Sequence, residues 1–314
     1  MSETRQAPST SHLLPHDFSM GSDDIDFPEA LRHAHPPVVQ LLGRGEPSVV
    51  RRLAQTPGLA IVGSRRASSQ GKADARWFAR VVAGHGLVII SGLAHGIDTS
   101  AHEGALQASG HTVAVLGHGR DHVYPRQNAG LLERILTSGG AAVTEYPDAT
   151  PARAHQFPMR NRIIAGLAQA VLIVEAAPKS GSLITARHAL EAGINVFVIP
   201  GSIHSLESQG SNQLIREGAQ PVQSPEELLG DMGILRPGNR RSRPSLSGDL
   251  FTPDMDVTTL TALTHLSHQA STINDLCNRS GLALDRLYGC LLVLELAHLA
   301  TRLSDGRWVK LIEK

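Results

Sequence analysis

Apolar positions in this chain gather into short unbroken runs separated by longer stretches in which apolar residues recur at helical spacing. Residues 59–62, 87–90, 112–116, 141–143, 170–174 and 195–199 read as strands with no polar face. Helices are predicted over 71–83, 97–108, 128–136, 161–167 and 182–192. Strands apolar on both faces and alternating with helices imply a parallel sheet covered on both sides. The expectation is therefore an α/β fold with a Rossmann-like, doubly wound, mostly parallel sheet.

The pattern changes at both ends. Residues 1–24 are polar, with no apolar period, and read as a disordered tail. The α/β domain is expected over 25–229, its first part, 27–53, being a short helix-and-turn region. Residues 230–254 carry many breakers and no period, and read as a linker. Beyond it, 271–278 and 284–298 read as two helices joined through Ser280 and Gly281. A hairpin follows, turning at Ser304-Asp305-Gly306-Arg307, since Asp-Gly favours primed turns. Helix, turn, helix and hairpin outline a small winged-helix domain over 255–314. Its second helix offers only Arg286 against Asp285 and Glu295, and the stripe Leu287, Leu291 and Leu294 fits core packing. That module is expected to add little nucleic-acid affinity and to serve partner contact or regulation; Arg302, Arg307 and Lys310 on the hairpin are the cations that could reverse this.

Composition narrows the function classes. The 314 residues hold 29 Lys+Arg against 29 Asp+Glu, so the net charge is zero, and hydrophobic residues make up 41%. Cys277 and Cys290 are the only cysteines, which gives no disulfide framework and suggests a reducing, cytoplasmic setting. No apolar run approaches the ~20 residues of a membrane span. His118 and His122 are four apart, yet Gly119 and Tyr124-Pro125 argue for a loop there, so no metal site is expected. No cofactor is expected either: the first strand is not followed by Gly-x-Gly-x-x-Gly, and no Gly-Lys-Ser/Thr occurs.

Against that neutral background Arg153, Arg160 and Arg162 stand together with no acid between Pro151 and Arg162, just ahead of a predicted helix. Two arrangements fit them: a bound polyanion, or carboxylates elsewhere in the fold. Small and cationic residues also follow the strands, as Gly63-Ser64-Arg65-Arg66, Ser91-Gly92-Leu93-Ala94-His95-Gly96, Gly117-His118-Gly119-Arg120 and Lys179-Ser180-Gly181-Ser182. Ligands of open parallel sheets collect at such strand ends, where free N–H groups favour phosphate. A row of phosphate positions is the reading. Aromatics are only 4% of the chain, which argues against a face tiled with stacked bases. Phe157 lies within the arginine cluster and is either a base-stacking residue or a core residue bracing Pro158.

These motifs resemble the DNA-processing protein A family (DprA, also called Smf). The resemblance rests on Ile61-Val-Gly-Ser-Arg65, Ser91-Gly-Leu-Ala-His-Gly-Ile-Asp98, Ala114-Val-Leu-Gly-His-Gly-Arg-Asp121 with Tyr124-Pro125, and Phe157-Pro-Met-Arg-Asn-Arg-Ile-Ile-Ala-Gly166. It continues through Ser180-Gly-Ser-Leu-Ile-Thr-Ala186, Val198-Ile-Pro-Gly201 and Gly210-Ser-Asn-Gln-Leu-Ile-Arg-Glu-Gly-Ala219. The resemblance implies a non-enzymatic, dimeric single-stranded DNA-binding protein. Such a protein protects incoming strands in natural transformation and loads the RecA recombinase, with single-strand-binding protein as a further partner. It also implies a DNA site of Gly63, Ser64, Arg65, Phe157, Arg160, Asn161 and Arg162, with Ser180, Gly181 and Ser182 at the rim; Arg66, Arg153 and Lys179 extend it as neighbouring cations. Many members carry a lysine where this chain has Ala154, and Arg153 stands one place earlier. The alternative is a nucleotide-processing enzyme similar to the lysine-decarboxylase-like phosphoribohydrolases. Against it, the stretch from Ser180 to His188 lacks their glutamate, and Glu175 has no paired catalytic group nearby in sequence.

Overall fold

A computed structural model of the chain describes residues 16–235, 257–267, 270–296, 299–303 and 306–310. The chain divides into two compact units, 1–237 and 238–314.

The larger unit is built on one nine-stranded sheet. Its parallel part comprises β3 (Gly58–Val62), β4 (Val88–Ser91), β5 (Thr112–Val115), β6 (Ala141–Thr144), β7 (Ala170–Ile173), β8 (Asn195–Val198) and the two-residue β9 (Gln220–Pro221). The helices α3 (Ser69–Gly84), α4 (Ile97–Gln107), α5 (Ala129–Thr137), α6 (Gln156–Gly166), α7 (Ser182–Glu191), α8 (Leu206–Arg216) and α9 (Pro225–Asp231) connect or follow these strands. Alternate strand residues feed opposite faces. Ala60, Val62, Ile90, Val113, Val171 and Val198 join the core with Ile163 and Ile164 of α6 and Ala186 of α7. Leu59, Ile61, Ile89, Leu172 and Phe197 join another with Phe78 of α3, Ala101 of α4 and Leu228 of α9. This two-sided burial is why the strands read as unbroken apolar runs.

Two antiparallel strands extend the sheet beyond the expected core: β1 (His16–Gly21) pairs with β2 (Gln40–Gly45), and β2 pairs with β6. The disordered-tail expectation is thereby corrected for residues 16–24, while residues 1–15 lie outside the described residues. Directly opposite Gly43 sits Phe18, whose ring occupies the space a side chain would need there, so burial of the aromatic compensates for a weak strand residue. The linker expectation is corrected for residues 230–235, because α9 runs to Asp231 and Met232, Ile234 and Leu235 pack on the core. Residues 236–254 lie outside the described residues.

The helix predicted from 161 begins at Gln156, so the arginine motif is helical and not ahead of the helix. Pro158 is its third residue, within the first turn, where an N–H has no intrahelical acceptor to lose.

In the smaller unit, α10 (Val257–His265), α11 (Ile273–Ser280) and α12 (Leu284–Leu296) precede a hairpin of β10 (Ala300–Arg302) and β11 (Trp308–Lys310). Thr272 and Asp275 form a capping box on α11, and Gly281 ends it at φ 68°. Leu276, Leu287, Leu291, Leu294, Ala300 and Trp308 form its core, as the stripe on α12 predicts. Within the predicted turn, Ser304 and Asp305 lie outside the described residues.

Candidate nucleic-acid interface

The strand order β1-β2-β6-β5-β4-β3-β7-β8-β9 reverses direction between β3 and β7. A crevice opens where the loops leaving two such strands part company, and it lies outside their carboxyl ends. The loop after β3 is Gly63-Ser64-Arg65-Arg66, and the loop after β7 runs from Glu175 to Gly181. A Ser64 N–H donating to the Glu175 carbonyl at 2.7 Å ties them together. Gly63 cannot be larger here, since a β-carbon would stand 2.6 Å from Ile97 and 2.9 Å from the Glu175 carbonyl oxygen. Ser64 Oγ accepts from Arg66 N–H at 3.1 Å and fixes the turn that carries both arginines.

The expected row of phosphate positions is only partly present, because the protein's own carboxylates occupy several. Glu175 accepts from Ser68 N–H at 2.9 Å and Ser68 Oγ at 2.5 Å, while Ser68 Oγ caps Gly71 N–H at the start of α3. After β4, buried Asp98 accepts from Gly92 N–H at 3.1 Å and Ala94 N–H at 3.3 Å. Burial raises the Asp98 pKa, against the pull of Arg160 and these two amides. After β5, Arg120 forms a two-pronged pair with Asp148 at 2.6 and 2.8 Å. The amides of Ser68, Gly71, Gly92 and Ala94 and the Arg120 guanidinium are therefore already bonded within the protein.

Three residues of the expected DNA site are likewise turned inward. Arg160 is 3% exposed and donates to the carbonyls of Gly92, at 2.8 Å, and of Val115. Burial lowers its pKa to about 10, with nearby Asp98 opposing the shift, so it remains charged at neutral pH. Arg162 is 4% exposed and pairs with Glu145 through two bonds of 2.6 Å, while its Nε donates to the Pro36 carbonyl. Asn161 donates to the Gly181 carbonyl at 3.0 Å and so fastens α6 to the start of α7. The expectation that Arg160 and Arg162 present free guanidinium groups is corrected: Arg162 takes the internal arrangement, a carboxylate elsewhere in the fold, and Arg160 is held by backbone carbonyls with no ion pair among the described residues. The stretch free of acids over 151–162 does not decide the matter, since Glu145 lies just before it and Asp98 comes from the first turn of α4.

What remains at the sheet's carboxyl edge is a set of exposed cations. Arg65 and Arg66 after β3, Arg153 before α6 and Lys179 before α7 are all exposed, and none is in an ion pair among the described residues. The Arg65 guanidinium lies 5.2 Å from the ring centre of half-buried Phe157, a cation–π arrangement. Phe157 rests on Gly117, where a β-carbon would come within 2.9 Å of the ring, and its centre is 5.2 Å from that of Tyr124. Ser180 and Ser182 share a hydroxyl–hydroxyl bond of 2.7 Å beside exposed Gly181, which has open space where a side chain would go. Sequence reasoning noted Tyr124-Pro125 without giving the tyrosine a role; its neighbour Phe157 comes from the first turn of α6, distant in sequence. A separate depression of 620 Å³ on α8, lined by Ile203, Gln209, Asn212, Gln213, Arg216 and Glu217, shares none of these residues.

Comparisons with known proteins agree with this architecture. The family model for DNA recombination-mediator protein A matches residues 19–233, and that for the DprA winged helix domain matches 253–306. Protein Smf of Escherichia coli (strain K12) is 41% identical over 242 residues, which are 76% of this chain and 64% of that protein, so the chain spans less than two thirds of that relative's length. The X-ray structure of DNA processing protein A from Streptococcus pneumoniae superposes with a TM-score of 0.62 at 40% identity, covering 68% of this chain and 73% of that one. The corresponding protein from Helicobacter pylori, whose structure concerns its single-stranded DNA binding mode, gives 0.61 at 28% identity, covering 69% and 95%. With a nine-stranded doubly wound sheet, a C-terminal winged helix and a family match over most of its length, the chain belongs to the DNA recombination-mediator protein A (DprA/Smf) family.

Proposed function

We propose that this chain binds single-stranded DNA during natural transformation and recombination, without acting as an enzyme. It protects the strand and hands it to the RecA recombinase, displacing or working beside single-strand-binding protein in the cytoplasm. The observation that carries this reading is the Arg65 guanidinium stacked on Phe157 at the β3–β7 crevice, with no carboxylate paired to it among the described residues. Arg66, Arg153 and Lys179 then track the backbone, while Phe157 offers a π-face at the same edge. Gly63, Ser64, Ser180, Gly181 and Ser182 supply close backbone approach and hydroxyl donors. Arg160, Asn161 and Arg162 hold the platform in place from below. Exposed Ile203 and Leu206, at 77% and 57%, stand beside the depression on α8 and support a homodimer through that face. Against the phosphoribohydrolase alternative stands the Glu175 carboxylate, which accepts from Ser68 N–H and Oγ at the start of α3.

Oligonucleotide affinity measured against salt tests the reading. Each phosphate contact contributes a slope of about −0.7 in log affinity against log salt on a single strand. Arg65→Ala is expected to weaken binding and to flatten the slope by about that amount. An unchanged slope together with unchanged affinity would remove Arg65 from the interface and the reading with it.

A further inference from the structure

We propose that Tyr124 forms a second base-stacking position beside Phe157, so that the interface takes two consecutive bases of one strand. This inference rests on the single-strand reading above.

Tyr124 is 47% exposed, the most exposed aromatic ring of the larger unit among the described residues. Its ring centre lies 5.2 Å from that of Phe157 with the planes tilted by 38°. A base inserted between two rings needs about 7 Å, twice the ~3.4 Å separation of stacked bases. The pair is therefore a continuous surface and not a slot. Phe157 is half-buried, with Gly117 against one side of its ring and Arg65 near its centre. Of the two rings Tyr124 is the more exposed, and it carries the stacking surface outward from Phe157. The loop that presents it is tightly held. Asn128 donates to the Leu93 carbonyl at 2.8 Å and to Thr99 Oγ1 at 3.0 Å, and its N–H donates to the Pro125 carbonyl at 3.0 Å. Upstream, Gly119 N–H donates to the Thr150 carbonyl at 2.9 Å. A rigid, exposed aromatic continuing the Arg65–Phe157 stack suits the sequence-tolerant stacking of single-stranded bases.

The test pairs photocrosslinking with affinity in the full-length protein. Thymidine oligonucleotides carrying one 5-iodouracil at successive positions are irradiated on the protein and the crosslinked peptides are sequenced. Adjacent nucleotides are expected to crosslink to Phe157 and Tyr124. Tyr124→Leu is expected to weaken binding about 5- to 100-fold with an unchanged salt slope, because no charge is removed. Tyr124→Phe, which keeps the ring, is expected to stay within about twofold of the original, as stacking needs only a π-face. Absence of a Tyr124 crosslink overturns the proposal whatever the affinity of Tyr124→Leu, since a weakened variant without a crosslink makes the residue a brace for Phe157. A crosslink with undiminished Tyr124→Leu affinity overturns it as well. Failure of Arg65→Ala and Phe157→Ala to weaken binding would instead overturn the single-strand reading itself.

Discussion

What separates Arg65 from Arg162 is the surroundings of the guanidinium, since both belong to motifs that look equally cationic. Arg162 has a bidentate partner in Glu145, whose side chain is 19% exposed, whereas Arg65 lies exposed over an aromatic ring. Breaking a buried pair leaves an uncompensated charge, so Arg162→Ala is expected to lower unfolding free energy by about 3 kcal/mol in denaturant titration. The same variant is expected to leave the salt slope of DNA binding unchanged, the reverse of Arg65→Ala. Local charge was thus legible in the sequence, but its compensation was not. The carboxylates that decide it reach α6 from the β6–α6 loop in the case of Glu145 and from α4 in the case of Asp98. Glycine-rich strand ends were legible too, although Glu175 and Asp98 claim amides that looked available.

At the level of elements, strands buried on both faces announced themselves, and β3 through β8 fall within a residue or so of their expected places. β1 and β2 did not, because Gly43 and Gly45 break the apolar signal and the strand is stabilised by Phe18 across the pair. The first turn of α6, which contains Pro158, lies ahead of the helix expected from 161. The contact of α4 with β5 carries a pH dependence. His102 Nδ1 lies 2.7 Å from Thr112 Oγ1, whose own proton goes to the Ile89 carbonyl. The imidazole must therefore donate from Nδ1, leaving Nε2 as a buried acceptor without a partner. Burial, with a smaller push from Arg160, lowers its pKa to about 3. The folded state resists protonation that the unfolded chain accepts below the usual value of 6.5. Stability from this group is therefore present above pH 6.5 and lost as the pH falls toward 3. Between pH 7 and 5 the loss is expected to be about 2 kcal/mol for one such histidine. His102→Leu should remove that part of the slope in unfolding titrations at the two pH values, while buried His118, shifted the same way, keeps a remainder.

For the whole molecule, the division into two units places every candidate DNA contact in the larger one. The outward side chains of α12, Leu284, Tyr288 and Leu292, are 55%, 44% and 50% exposed, and the cations near them are Arg286 of the same helix and Arg302, which donates to the Tyr288 hydroxyl at 3.2 Å. A chain ending after Leu235 is expected to keep oligonucleotide affinity within about threefold of the full-length protein, because stacking and phosphate contacts carry the binding. Ending four residues earlier removes Met232, Ile234 and Leu235 from the core and is expected to lower the melting temperature. The bond from Ser64 to Glu175 joins residues that leave the ribosome at very different times. A nascent chain that already holds β3, β4, β5 and β6 still lacks the other wall of the crevice, the carboxylate for Ser68 and the serines of the β7 loop. The β3–β7 crevice is consequently complete only once the second half of the sheet has been synthesised.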